Sequence, residues 1–132
     1  MPLVLDAGCG AGLTARLLIG EGLHRVRYIG ADISTAVDVA PEAFRQRGLP
    51  GYFIQADLLN FPFAENSFDY ILSEGVLHHT PSTRAAIHAL ARLLKTGGVL
   101  AFYVYKRKSP IREFADDFIR EHLRSMSPEE AW

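Results

Sequence analysis

Five short runs of apolar and β-branched residues recur along the chain, at residues 3–6, 26–31, 51–55, 68–73 and 99–105, and helical patterns fill the stretches between them. Strands that alternate with helices in this way are the sequence form of repeated βα units around a parallel sheet. The apolar character of the runs suits strands covered on both faces. The expected fold is α/β, a doubly wound sheet. At 132 residues, with 48% hydrophobic and 22% charged content, the chain has the size of one domain with a single core.

Residues 12–19 read as a short helix, and residues 34–47 as helical in type, with Pro41 beginning a fresh turn. The third helix has the clearest signals. Thr80 or Ser82 caps it, Ala86, Ile87, Leu90, Leu93 and Leu94 make its buried stripe, and Gly97 stops it. Residues 105–132 are expected to form a helical extension. It holds an amphipathic stretch over 111–123, with Phe114, Phe118 and Ile119 on one stripe, and a new helix start at Ser127-Pro128-Glu129-Glu130. A helix start so close to Trp132 reads as a chain cut short at its C-terminal end. The apolar run directly after Pro2 raises the same question for the N-terminus.

The segment Val4-Leu-Asp-Ala-Gly-Cys-Gly-Ala-Gly12 carries the most chemistry: a strand runs into glycines at alternate positions and then into a helix. Glycines there permit a sharp turn and let a ligand approach main-chain atoms. Dinucleotide-binding domains use a similar turn, so the neighbouring acids must discriminate. Asp6 stands at the mouth of the turn. At about 4 Å and an effective dielectric of about 20, two unit charges interact by roughly 4 kcal/mol, which opposes a pyrophosphate and favours an ammonium. Asp32, 20 residues beyond Gly12, ends the second strand, where an acid can accept from both hydroxyls of a ribose. Asp57 ends the third strand, placed to accept from an adenine amino group. Three acids at successive strand ends line the carboxyl edge of the sheet, where open α/β folds bind ligands. S-adenosylmethionine, with an ammonium, a sulfonium and no phosphate, fits this row.

These residues resemble the class I S-adenosylmethionine-dependent methyltransferases, specifically the small-molecule enzymes of the ubiquinone and menaquinone biosynthesis type. The resemblance covers nearly all of residues 3–105. It rests on Asp6-Ala-Gly-Cys-Gly-Ala-Gly12, Gly30-Ala-Asp32, Ala56-Asp57-Leu58 followed by Phe61-Pro62-Phe63, Ser67-Phe68-Asp69, and Leu94-Lys-Thr-Gly97-Gly98. It implies a Rossmann-like sheet of order 3-2-1-4-5-7-6, of which this chain supplies 3-2-1-4-5 and lacks strands six and seven. It also implies methyl transfer from S-adenosylmethionine to a small-molecule acceptor by in-line displacement, leaving S-adenosylhomocysteine. Carried over by position, Asp6, Ala7 and Gly8 serve the methionyl end, and Gly10 and Gly12 shape the turn. Asp32 and Ile33 meet the ribose, and Ala56, Asp57 and Leu58 meet the adenine. The stretch from Ser73 and Glu74 to His79 lines the path between cofactor and acceptor. His78 and His79 are the candidates for removing a proton from an acidic acceptor, and equally readable as packing or capping residues.

Two other readings remain open. A nicotinamide-dependent oxidoreductase shares the glycine turn and Asp32 but leaves Asp6 and Asp57 unexplained. A cofactor-binding module without catalysis, either a degenerate domain or a fragment, fits the missing strands. Asn-Pro-Pro-Tyr type sequence is lacking after the fourth strand, where the chain has Ser73-Glu-Gly-Val76, which argues against amino-methyltransferases of DNA bases.

Several residues read as structural. Cys9 has no base beside it in sequence and is explained by its small size. Asp69 is a turn or cap residue, Tyr103 and Tyr105 cover a sheet face, and Lys106-Arg-Lys108 is a solvated turn. No His or carboxylate cluster has metal-ligand spacing. The net charge of -1 gives no field to attract nucleic acid. One cysteine, no signal peptide and no membrane-length apolar run fit a reducing cytoplasmic setting. The fifth strand is expected to be an open edge, a route to self-association.

Overall fold

The computed structural model describes residues 1–105 together with residues 112, 115, 117–119 and 121. Strands β1 (Leu3–Ala7), β2 (Arg27–Asp32), β3 (Tyr52–Gln55), β4 (Phe68–Glu74) and β5 (Leu94–Tyr103) form one sheet of order β3-β2-β1-β4-β5. Every pairing is parallel, with Asp6 opposite Gly30 on one side and Leu72 on the other. The expected strand order is therefore the observed one. The chain winds outward from β1 to β3 and then restarts on the far side of β1, so a ligand crevice belongs at the carboxyl ends of these strands.

Successive side chains of a strand point to opposite faces, and β1 shows what each face packs against. Leu5 and Ala7 join Ala31, Ile71, Ala86, Leu90 and Leu93 under helix α3 (Thr83–Leu93). Val4 joins Ala15, Leu23, Tyr28 and Phe44 under helices α1 (Leu13–Leu18) and α2 (Ala40–Arg45). Ser82 caps α3, its hydroxyl accepting from the Ala85 amide at 3.2 Å, while Thr80 donates to the Leu77 carbonyl instead. Pro41 sits in the first turn of α2, preceded by a 3-10 turn over Thr35–Val39.

The third helix ends earlier than its sequence stripe suggests. Leu94 is extended and pairs with Phe68, and the next pairing is Val99 with Tyr70. The last carbonyls of α3 accept from Asn66 and Ser67 amides, at 3.1 and 2.8 Å, which turns the chain into the sheet. Gly97, with a φ of 79°, therefore lies in an irregular bend of β5 and does not stop the helix. Asp69 is the structural residue expected: it accepts from the Leu3 amide at 2.7 Å and pairs with Lys95 at 2.9 Å.

Coverage of both faces holds for β1 but not for β5. On the α1 side, Tyr70 and Val99 are paired neighbours, each about half exposed at 49% and 50%. Tyr105 lies past the end of β5, packed on His78 at 4.3 Å, so it does not cover a sheet face. The segments 106–111 and 127–130, and Phe114, lie outside the described residues. Those described from 112 onward are helical and exposed, Phe118 and Ile119 among them. No helix among the described residues is long and apolar enough to cross a membrane.

Candidate functional site

Between β1 and α1 the backbone turns through three glycines in the left-handed region, Gly8 at φ 89°, Gly10 at 51° and Gly12 at 73°. Packing adds a second constraint at two of them. A Cβ on Gly8 would stand 2.3 Å from Val76 Cγ2, and one on Gly12 would stand 2.6 Å from Phe44 Cε2. Four amides of this turn are already committed. Gly8 and Cys9 donate to the Ala31 carbonyl at 2.7 and 3.1 Å, Gly10 to Asp32 Oδ2 at 2.7 Å, and Gly12 to the Cys9 carbonyl at 2.8 Å. A phosphate cradle needs uncommitted amides aimed outward; these four are turned to the protein.

The three acids differ in depth. Asp6 is 2% exposed and lies beneath the turn, where Tyr28 Oη donates to its Oδ2 at 2.7 Å. Its other oxygen accepts no hydrogen bond among the described residues. Burial, with Asp32 and Glu74 nearby, raises its pKa from 3.8 to about 6 against the opposing Tyr28 hydrogen bond. Asp32 is partly buried. Besides Gly10, it receives the Ser34 amide and hydroxyl on Oδ1 at 2.8 and 2.7 Å. A carboxylate offers about four acceptor positions, so Asp32 keeps one for a ligand hydroxyl, and taking two requires Ser34 or Gly10 to let go. Asp57 caps the 3-10 turn Leu58–Asn60, accepting from the Leu59 amide at 2.9 Å and from Asn60 Nδ2 at 3.2 Å.

Asp32 and Asp57 open onto a cleft of about 330 Å³ at the carboxyl edge, lined also by Gly8, Ile33, Ala56, Leu58, Phe61, Val76 and His79. The volume lies at the lower end of the range for small-molecule sites, roughly 300–1,000 Å³. Its walls are mostly apolar, with two carboxylates to orient a ligand.

A family model described as a methyltransferase domain matches residues 5–102, which spans the sheet, the glycine turn and the cleft. The chain belongs to this methyltransferase family. The phthiotriol/phenolphthiotriol dimycocerosates methyltransferase 1 of Mycobacterium ulcerans is 31% identical over 96% of the chain and 46% of that protein. The crystal structure of YcgJ from Bacillus subtilis superposes with a TM-score of 0.68 at 32% identity, covering 93% of this chain and 51% of that one. That of the [4+2]-cyclase SpnF gives 0.72 at 28% identity, covering 83% and 41%. The chain thus spans about half the length of the relatives it matches.

Of the methyltransferase site residues expected from sequence, Gly8, Asp32, Ile33, Ala56, Asp57, Leu58 and His79 line the cleft; Asp6, Ala7, Gly10, Gly12, Ser73, Glu74 and His78 do not. Asp6 and Ala7 are buried below the turn. Ser73 is fully buried and donates to the Ala7 carbonyl at 2.8 Å, locking β4 to β1. Glu74 accepts from Thr14 at 2.8 Å, bridging β4 to α1. His78 packs between His79 at 4.0 Å and Tyr105 at 4.3 Å, and its ring nitrogens are buried with no hydrogen-bond partner among the described residues. Burial, then the neighbouring His79, holds its pKa below the ordinary value. Cys9 is buried, and burial with Asp6 and Asp32 nearby pushes its thiol up to about 12, which removes nucleophilic character at neutral pH. Sequence reasoning missed Ala31, Leu59, Phe61, Thr80 and Pro81 as lining residues. Phe61 stood in a quoted motif, but nothing in that motif said which way its ring faces.

Proposed function

We propose that the cleft holds S-adenosylmethionine and that the domain serves transfer of its methyl group to a small-molecule acceptor. The observation that carries this reading is the electrostatics of the glycine turn: four of its amides are committed to the protein while Asp6, Asp32 and Glu74 gather around it. Such a turn disfavours the pyrophosphate of a nicotinamide cofactor and favours a cation beside it.

Asp32 would take a ribose hydroxyl through its remaining acceptor position. Asp57 and the Leu58 segment would meet the adenine, with Ile33, Ala56 and Phe61 as the dry wall. The turn at Gly8, backed by the buried charge of Asp6, would receive the methionyl end. When bound, the cofactor supplies an electrophilic methyl group on sulfur. The chain's own residues then need only align the partners and exclude water, which can provide much of the rate enhancement. For an acidic acceptor, His79 is the base we favour over His78: it lines the cleft, whereas both ring nitrogens of His78 are buried away from it.

Calorimetric titration with S-adenosylmethionine, S-adenosylhomocysteine and NADH tests the reading. Binding of the two sulfur compounds and not NADH is expected; NADH binding alone would overturn it. A second reading, binding without turnover, is favoured by the exposed Tyr70 and Val99 face. Methyl transfer by a longer homologous chain, but not by this one, would decide for it.

A further inference from the structure

The glycine turn rests on a set of aromatic rings that its own sequence does not announce. Tyr28, on β2, stacks on Phe44 with ring centroids 5.4 Å apart, and Phe53 meets both rings edge-on, at 5.9 and 4.8 Å. Phe44 is the ring that leaves no room for a Cβ on Gly12, and Phe53, with Cys9, closes the space over Gly30. All three rings pack in the core beneath α1 and α2. Held this way, Tyr28 has little freedom, and its hydroxyl donates to Asp6 Oδ2 at 2.7 Å out of contact with water.

A carboxylate in such a place is costly unless something favours its charged form. The groups that face Asp6 are Tyr28 and Asp32 from β2, Cys9 from the turn and Glu74 from β4. Asp32 and Glu74 oppose its charge, and the neutral thiol of Cys9 offers no counterion. The Tyr28 hydroxyl is the one side-chain group among the described residues that favours the anion.

We propose that Tyr28 is a positioning residue that keeps Asp6 an anion, aimed beneath the glycine turn, and thereby sets how strongly the turn prefers a cofactor with a cationic amino-acid end. The proposal rests on the reading that Asp6 backs that end. Removing the hydroxyl leaves the rings packed but withdraws the donor, so the preference weakens while the adenosine part of the cleft is untouched.

The test compares two probes, S-adenosylhomocysteine and 5′-methylthioadenosine, which share the adenosine and differ in the amino-acid end. At pH 7, Tyr28→Phe is expected to weaken S-adenosylhomocysteine about ten-fold, the scale of one lost hydrogen bond to a charged group, and to leave 5′-methylthioadenosine within about two-fold. Equal weakening of both probes, or of neither, overturns the proposal, since a merely structural role moves the two together. Asp6→Asn separates the underlying reading: if it leaves the preference between the probes at the wild-type value, Asp6 does not back the amino-acid end. Should Tyr28→Phe fail to fold, 3-fluorotyrosine at position 28 replaces it. This stronger donor is expected to move the pH midpoint of S-adenosylhomocysteine binding downward, and an unmoved midpoint overturns the proposal.

Discussion

Replacing Asp6 with Asn should make the ligand-free protein more stable and the cofactor weaker. The folded chain holds the Asp6 proton more tightly than the unfolded chain, with a pKa raised from 3.8 to about 6, mainly by burial. The folded state therefore binds more protons through that window, and stability falls as pH rises across it. Above about pH 6 the full cost applies, and at about 1.4 kcal/mol per unit a rise of about two units amounts to about 3 kcal/mol. Asn can still accept from Tyr28, but its amide group needs a partner of its own, a loss of about 1 kcal/mol. The net gain is about 2 kcal/mol at pH 8, and it should shrink to zero or reverse near pH 4, where Asp6 is mostly protonated in the folded chain. Urea unfolding of both proteins at the two pH values reads this directly. A variant less stable than wild type at pH 8, or a difference that ignores pH, would refute the reasoning. The stability gained is the charge given up, so S-adenosylhomocysteine should bind the variant less tightly.

Gly8→Ala should lose ligand binding and cost about 1–3 kcal/mol of stability from its left-handed backbone, plus the clash with Val76. Adding Val76→Ala should recover part of the steric loss, since the Cβ at position 76 still stands 2.9 Å away, and none of the backbone part, as thermal melts of the single and double variants will show. Cys9 should react slowly with a disulfide reagent at pH 8 in the native protein and at once after denaturation, because burial keeps its thiol protonated. His79→Ala in a longer homologous chain with an acidic acceptor should lower kcat; full turnover would remove His79 as the base. The exposed residues Val99, Phe102 and Tyr103 of β5 should produce mass that rises with concentration in sedimentation velocity. Val99→Lys should suppress it, and a wild-type monomer at all concentrations would contradict the expectation.

Periodicity placed the five strands, and their order followed from the family resemblance. Each strand run was marked by its neighbours' turn and cap residues, and Asp32 follows from being the last residue of β2, Asp57 from standing two residues past the end of β3. Depth was not legible. Asp6 reads as a carboxylate at a mouth, yet what decides its environment is Tyr28, 22 residues away and hidden in an apolar strand run. The boundary at Leu94 was ambiguous for a local reason: Leu94-Lys-Thr-Gly97-Gly98 has the form of a helix C-cap, and only the amides of Asn66 and Ser67 show that the helix ends at Leu93. Val76 over Gly8 is a contact between segments far apart in sequence, and no spacing rule finds it.

Where the adenine end sits is best read by photolabelling with 8-azido-S-adenosylmethionine, followed by peptide mapping, with and without excess S-adenosylhomocysteine. Label confined to the cleft segments, residues 56–61 or 76–81, and abolished by the competitor is the expected result. Label elsewhere, such as on β5, or label that the competitor leaves in place, would contradict a cofactor site built from the ends of β1, β2 and β3.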